Sequence, residues 1–202
     1  MKIFKVVNNM IHIHDGPVGV SCSGGADSSL LLFILMKYSQ DPIHIFTCAS
    51  KLKNYTAAAT TTKVIDECIK ITGNNNIFHH IHYVDEQTLD NLFYQDQFVN
   101  IQVLYTAITK NPPDEITNGF KNTSAEIERH PGTIRPLYSL NKKVYMPFAN
   151  IDKKEISWMY KELQLLDNLF PLTRSCESFT LTKGHCGECW WCEEREWAFG
   201  KL

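Results

Sequence analysis

The sequence predicts an α/β fold built on a mostly parallel sheet. Two observations carry that prediction. Short apolar runs with strand character alternate along the chain with longer helical stretches. The first strand and the first helix are joined by the glycine-containing turn Ser23-Gly24-Gly25. Composition agrees: 202 residues, 44% hydrophobic and 21% charged, are ordinary values for one globular domain.

Each element has its own local reason. Pro17-Val18-Gly19-Val20-Ser21-Cys22 reads as a short buried strand after the turn signal Asp15-Gly16. Ala26 to Tyr38 is apolar all round through Leu30–Met36, so a buried helix is expected there. Asp41-Pro42 ends it, and Ile43 to Cys48 is the second strand. A helix from Thr56 to Ile71 follows, stopped by Gly73. Ile77 to Val84 is the third strand.

Asp85 to Thr109 has helical spacing, with Leu89, Leu92, Phe93, Val99, Val103 and Leu104 on one side and Pro112-Pro113 as the stop. Glu115-Ile116-Thr117 is expected as a fourth strand, Lys121 to Leu140 as loop, and Val144-Tyr145-Met146 as a fifth strand. Asp152 is the expected N-cap of a helix to Leu166, with Glu155 at the capping-box position. A cysteine-rich tail closes the chain.

Composition also excludes classes of function. The longest apolar run has seven residues, Leu30 to Met36, against the ~20 that a membrane span needs. Met1-Lys2-Ile3-Phe4-Lys5 has neither a long apolar stretch nor a small-residue cleavage site, so no signal peptide is expected. Net charge is −2 and only four of the 20 basic residues are Arg, which argues against direct nucleic-acid binding. Seven cysteines, with Cys176, Cys186, Cys189 and Cys192 in the last 27 residues, point to a reducing, cytoplasmic setting and a metal site rather than disulfides.

The glycine loop is the first chemical candidate. Ligands of parallel sheets bind at the carboxyl ends of strands, where this loop falls. Its glycines allow a sharp turn and close backbone approach. The helix that follows directs its N-terminal amides and dipole into the same space. Ser23, Ser28 and Ser29 add hydroxyls. The arrangement suits a phosphate or pyrophosphate, although it has neither the Lys of a Walker A loop nor the third glycine of a dinucleotide fingerprint. The plainer alternative is a strand-to-helix turn capped by Asp27 or a serine.

The second candidate is Cys176, then Cys186-x-x-Cys189-x-x-Cys192. A Cys-x-x-Cys turn brings two thiolates to one metal, and four thiolates close a tetrahedral zinc site. His185 is a spare ligand. The same four sulfurs also suit an iron–sulfur cluster, and spacing does not separate the two.

Ser23-Gly24-Gly25-Ala26-Asp27-Ser28 resembles the Ser-Gly-Gly-x-Asp-Ser loop of the N-type ATP pyrophosphatases, the PP-loop enzymes, which adenylate a substrate and release pyrophosphate. The end of the chain resembles the 7-cyano-7-deazaguanine synthase family. Thr173-Arg174-Ser175-Cys176 and Cys186-Gly187-Glu188-Cys189-Trp190-Trp191-Cys192-Glu193-Glu194-Arg195-Glu196-Trp197-Ala198-Phe199 follow its Thr-x-Ser-Cys and Cys-Gly-x-Cys-x-x-Cys-x-x-Arg-x-x-Ala-Phe pattern. Met146-Pro147 and Lys153-Lys154-Glu155-Ile156 resemble the segment between the two motifs. Two departures stand out: Ala49 to Tyr55 replaces a Tyr-Gly-Gln-Arg-His-like stretch, and Glu177 replaces an aromatic residue.

The resemblance implies a Rossmann-like PP-loop topology over a single domain, 1–202, with a zinc-binding segment at 173–199. It implies ATP, Mg²⁺ and Zn²⁺ as cofactors, and 7-carboxy-7-deazaguanine and ammonia as substrates of a C–N ligase in queuosine-type biosynthesis. A homodimer is the implied assembly. Ser23, Gly24, Gly25, Ala26, Asp27, Ser28 and Ser29 become the nucleotide-binding set. Ser23, Asp27, Ser28 and Lys153 become the catalytic set, and Cys176, Cys186, Cys189 and Cys192 the metal ligands. Two alternatives remain: a tRNA-thiolating enzyme carrying an iron–sulfur cluster, or a divergent member acting on another substrate or a protein partner.

Several other residues have simpler roles open to them. Lys153 is either a phosphate ligand or an exposed first-turn residue. Arg195 fits a brace for the metal loop better than a phosphate ligand. His79, His80 and His82 are expected to be strand-end polar groups rather than a metal site. Asn118-Gly119 is either a base contact or a turn. Trp190, Trp191 and Trp197 are expected to pack around the metal knuckle.

Overall fold

The computed structural model describes residues 2–7, 9–50, 56–84, 100–117, 135–137, 142–176 and 184–202. The chain opens with an antiparallel hairpin, β1 (Lys2–Val6) and β2 (Asn9–Ile13). No element is expected there from the sequence. Its apolar residues Val6, Ile11 and Ile13 bury into the main core.

Next come β3 (Val18–Ser21), α1 (Ala26–Tyr38), β4 (Ile43–Ser50), α2 (Ala57–Thr72) and β5 (Ile77–Val84), close to the bounds the sequence predicts. Helix α1 is buried at ten positions, Ala26 and Ser28 through Met36. An all-round apolar helix requires such a setting. Helix α2 buries one face through Ala57, Thr61, Val64, Ile65 and Cys68. It ends at Gly73, whose φ of 70° suits the left-handed cap and whose N–H donates to Ile69 O.

The second half departs from expectation in four places. Val103–Tyr105 is strand β6, not helix. All three residues are buried, and the strand pairs in parallel with β3 on one side and with Lys142–Tyr145 on the other. A short apolar run buried on both faces has no period to betray it. Residues 85–99 of that expected helix lie outside the described residues.

Asp114–Thr117 forms a single helical turn, α3, where a strand was expected. Ile116 N–H donates to Pro113 O, a local bond that closes the turn. Arg135–Leu137, expected as loop, is the antiparallel edge strand β7 against β8 (Lys142–Tyr145). Helix α4 (Lys153–Glu162) has the expected capping box but stops before Leu166, because Gln164 takes a left-handed φ of 56°. A 3₁₀ turn at Phe170–Leu172 and helix α5 (Trp190–Phe199) follow.

Among the described residues the main sheet runs β5-β4-β3-β6-β8-β7, parallel except for β7. The chain proceeds outward from β3 to β4 and β5, then resumes on the other side of β3 with β6. That reversal opens a crevice at the carboxyl ends of β3 and β6, the usual ligand position of open α/β sheets. The glycine loop leaves β3 at this point.

Candidate functional site

The loop folds around the Ser28 hydroxyl. Ser28 Oγ accepts from Ser23 N–H at 3.2 Å, lies 3.3 Å from Ser23 Oγ, and donates to Gly25 O at 3.2 Å. Gly24 has φ +78°, and a Cβ there would meet Thr60 Cγ2 at 2.7 Å. Glycine is required at this position on both counts. Gly25 is the N-cap of α1, and the helix ladder begins with Ser29 N–H donating to Gly25 O at 3.0 Å. The N–H groups of Ala26, Asp27 and Ser28 therefore precede the ladder and point out of the helix end. Ser29 itself is wholly buried.

Beneath the loop, Thr47 and Thr61 both donate to Cys22 O, at 2.9 and 3.3 Å. These bonds tie the end of β3 to β4 and α2. Burial pushes the Cys22 thiol up.

Lys153 is not the exposed first-turn residue of the simpler expectation. It is 3% exposed, and its ammonium lies 3.1 Å from Asp27 Oδ2 and 2.7 Å from Glu194 Oε2. Three elements meet there: the start of α1, the start of α4 and the middle of α5. Sequence reasoning missed Glu194, which is 0% exposed. Its only signal is helical spacing: it follows Trp190 by four positions, and both are buried on α5.

Arg195, next to it, is 1% exposed and braces the segment before the first cysteine. It donates to Thr173 Oγ1 at 2.9 Å, Ser175 Oγ at 3.4 Å and Phe170 O at 3.2 Å, and lies over the Phe170 ring. Burial lowers its pKa to about 10, so it remains charged at neutral pH. The same segment touches the glycine loop: Arg174 N–H donates to Gly24 O at 2.9 Å. Tyr160 of α4 donates to Ala26 O at 2.8 Å.

The ligand atoms of Cys176, Cys186, Cys189 and Cys192 all lie within 4.8 Å of one another. Cys186 and Cys192 sulfurs are 3.8 Å apart, and Cys189 and Cys192 sulfurs 3.5 Å. A tetrahedral ion with bonds of about 2.3 Å sets its sulfurs about 3.8 Å apart, so this set can hold one ion. The Cys186 thiol is drawn down to about 6, chiefly by the backbone N–H of Glu188. Burial pushes Cys189 and Cys192 up, an effect that a bound cation reverses by taking the thiolates. His185 stands outside the group, accepting from Ser175 N–H at 3.4 Å.

The remaining candidates take supporting places. His79 hydrogen-bonds Thr47 Oγ1 at 2.9 Å, while His80 pairs with His44 at 3.1 Å on the other face of β5. Among the described residues the histidines form no metal-donor group. Trp190 is buried beside Cys189 and edge-on to Trp191, and Trp197 lies under the Lys154 ammonium. Asn118-Gly119 and Glu177 lie outside the described residues.

Two family models match in succession: asparagine synthase over residues 6–96 and queuosine biosynthesis protein QueC over residues 132–202. Both models describe PP-loop enzymes. Along both matched stretches, neither of which covers half of it, the chain is similar to PP-loop ATP pyrophosphatases. The first match spans the glycine loop at 23–28, and the second spans Lys153 and all four clustered cysteines.

No curated protein matches the chain significantly. Among solved structures it is similar to NMN synthetase from Francisella tularensis, at 14% identity and a TM-score of 0.48, covering 92% of this chain and 77% of that one. It is also similar to the U34-tRNA thiolase NcsA from Methanococcus maripaludis with its [4Fe-4S] cluster, at 14% identity and a TM-score of 0.44. That similarity covers 74% of this chain and 57% of that one.

Proposed function

We propose that this PP-loop protein is an ATP-dependent ligase that converts 7-carboxy-7-deazaguanine and ammonia to 7-cyano-7-deazaguanine. The observation that carries the reading is the contact between the two motifs: Arg174 N–H on Gly24 O, and Glu194 on Lys153 on Asp27. In this reading the PP loop and the QueC-like tail belong to one site within a single domain, with residues 173–199 as its metal-binding segment.

In this reading the amides and hydroxyls of residues 23–29 bind the phosphates of ATP, and Ser23 and Ser28 contact the departing pyrophosphate. Bound Mg²⁺ would neutralise phosphate charge. The substrate carboxylate attacks the α-phosphorus, pyrophosphate leaves, and ammonia displaces AMP to give an amide. A second ATP adenylates the amide oxygen with release of pyrophosphate, and loss of AMP and a proton gives the nitrile. A carboxylate oxygen is a poor leaving group until it is adenylated, so the work of the chain is positioning and charge stabilisation. Lys153 holds Asp27 at the edge of the phosphate space.

Zinc is the proposed ion of the cysteine site. The close spacing of the sulfurs supports a single ion, because a cubane cluster binds each thiolate to a different iron and needs them farther apart. Among the described residues no helix is long and apolar enough to cross a membrane. We take the protein to act in the cytoplasm on small molecules, as a homodimer.

Mass spectrometry of a reaction with ATP, Mg²⁺, ammonium and 7-carboxy-7-deazaguanine tests the reading. A nitrile with AMP and pyrophosphate is the expected result. An amide alone removes the second activation from the scheme. No turnover by zinc-loaded protein overturns the substrate and leaves a divergent PP-loop enzyme.

A further inference from the structure

We infer that Glu194 is a positioning residue that couples the cysteine segment to the PP loop. A metal held by Cys189 and Cys192 would set the first turn of α5, and Glu194 lies two residues beyond Cys192. From there its carboxylate reaches the Lys153 ammonium at 2.7 Å, and that ammonium reaches Asp27 at 3.1 Å. Asp27 is the second residue of α1, beside the amides that face the phosphate space.

A loose carboxylate at that place would repel a polyphosphate. Held on a buried ammonium, it is directed away and its charge is offset. Stability does not explain the arrangement: a buried ion pair such as Lys153 with Glu194 is seldom more stabilising than apolar side chains of the same volume. The triad does fix the relative position of three helix segments, and it runs from the metal helix to the loop. Arg174 N–H on Gly24 O is a second strap from the same segment, and Arg195 braces its neighbours Thr173 and Ser175.

The inference rests on the reading of the loop as the nucleotide site, so the test has one arm with nucleotide and one without. In the first, the affinity for a non-hydrolysable ATP analogue is measured on zinc-loaded wild type, zinc-stripped wild type and zinc-loaded E194Q. Both altered forms are expected to bind about tenfold more weakly, with E194Q keeping its full zinc content and E194D falling between. In the second, amide hydrogen exchange is followed at residues 23–28 without nucleotide. Protection is expected to fall on zinc removal and in E194Q.

Wild-type affinity and wild-type loop protection in E194Q overturn the coupling, as does unchanged loop exchange after zinc removal. If E194Q does not fold, E194D with wild-type loop exchange and affinity has the same force. If zinc-loaded wild type binds no nucleotide, the nucleotide reading fails, while the exchange arm still decides the coupling.

Discussion

The main-chain N–H of Arg174 donates to the carbonyl of Gly24 at 2.9 Å, joining residues 150 positions apart in sequence. Neither group depends on a side chain, so the contact follows from where the backbone of each segment must run. Gly24 can present its carbonyl this way because it adopts φ +78°.

Gly24→Ala is therefore expected to harm the fold and the loop together. A non-glycine residue in a left-handed conformation costs about 1–3 kcal/mol, and the added Cβ would press on Thr60 Cγ2 at 2.7 Å. Urea denaturation should show a loss of that order, and binding of an ATP analogue should fall below detection. Unchanged stability would mean that the loop is not held in this conformation.

The cysteine site predicts a metal stoichiometry. Elemental analysis should find one zinc per chain in a colourless protein, and Cys192→Ser should reduce the zinc content by most of its value. The buried Cys192 sulfur sits 3.5 Å from Cys189 and 3.8 Å from Cys186, so its loss opens the sphere from within. A brown protein with iron and acid-labile sulfide would replace zinc by a cluster.

Arg195→Lys tests the brace. Lysine cannot reproduce a planar fork with separate donors to Thr173, Ser175 and Phe170, and its ammonium desolvates less readily than guanidinium. A loss of about 3 kcal/mol is expected, seen as a lower denaturation midpoint. Faster release of zinc to a chelator should accompany it. Wild-type stability would leave Arg195 without a bracing role.

His79 gives stability a pH dependence. Burial, with a smaller contribution from His80, holds its pKa below the ordinary 6.5, so the folded state keeps it neutral beside Thr47. In the window just below 6.5 the unfolded chain binds more protons. Its contribution is complete above 6.5 and is lost as pH falls through the lowered folded value. Denaturation midpoints taken from pH 7.5 to 5 should decline for wild type and decline less for His79→Asn, and equal slopes would remove His79 as the cause.

Several elements of the fold were legible because each carries a local signal. Leu30–Met36 is apolar all round, Gly73 stops α2, and Asp152 with Glu155 makes a capping box. Val103–Tyr105 carries no such signal, since three buried apolar residues suit a strand or a helix equally. The edge strand Arg135–Leu137 exists only through its pairing with β8, a partner that a local reading does not contain.

By itself the sequence determined the chemistry available: a loop that can cradle phosphates, four thiolates spaced for a metal, and an α/β sheet to carry them. Their residue types and spacings are local properties, and local physics suffices to read them. Only the tertiary structure decided that the loop and the cysteine segment come into contact. It placed Lys153 between Asp27 and Glu194, and turned Arg195 inward onto Phe170 and Thr173. Buried charges find partners from distant segments because water is excluded there and an unpaired charge is costly. Which segments meet is set by the packing of helices against the sheet, and no window of sequence holds that information.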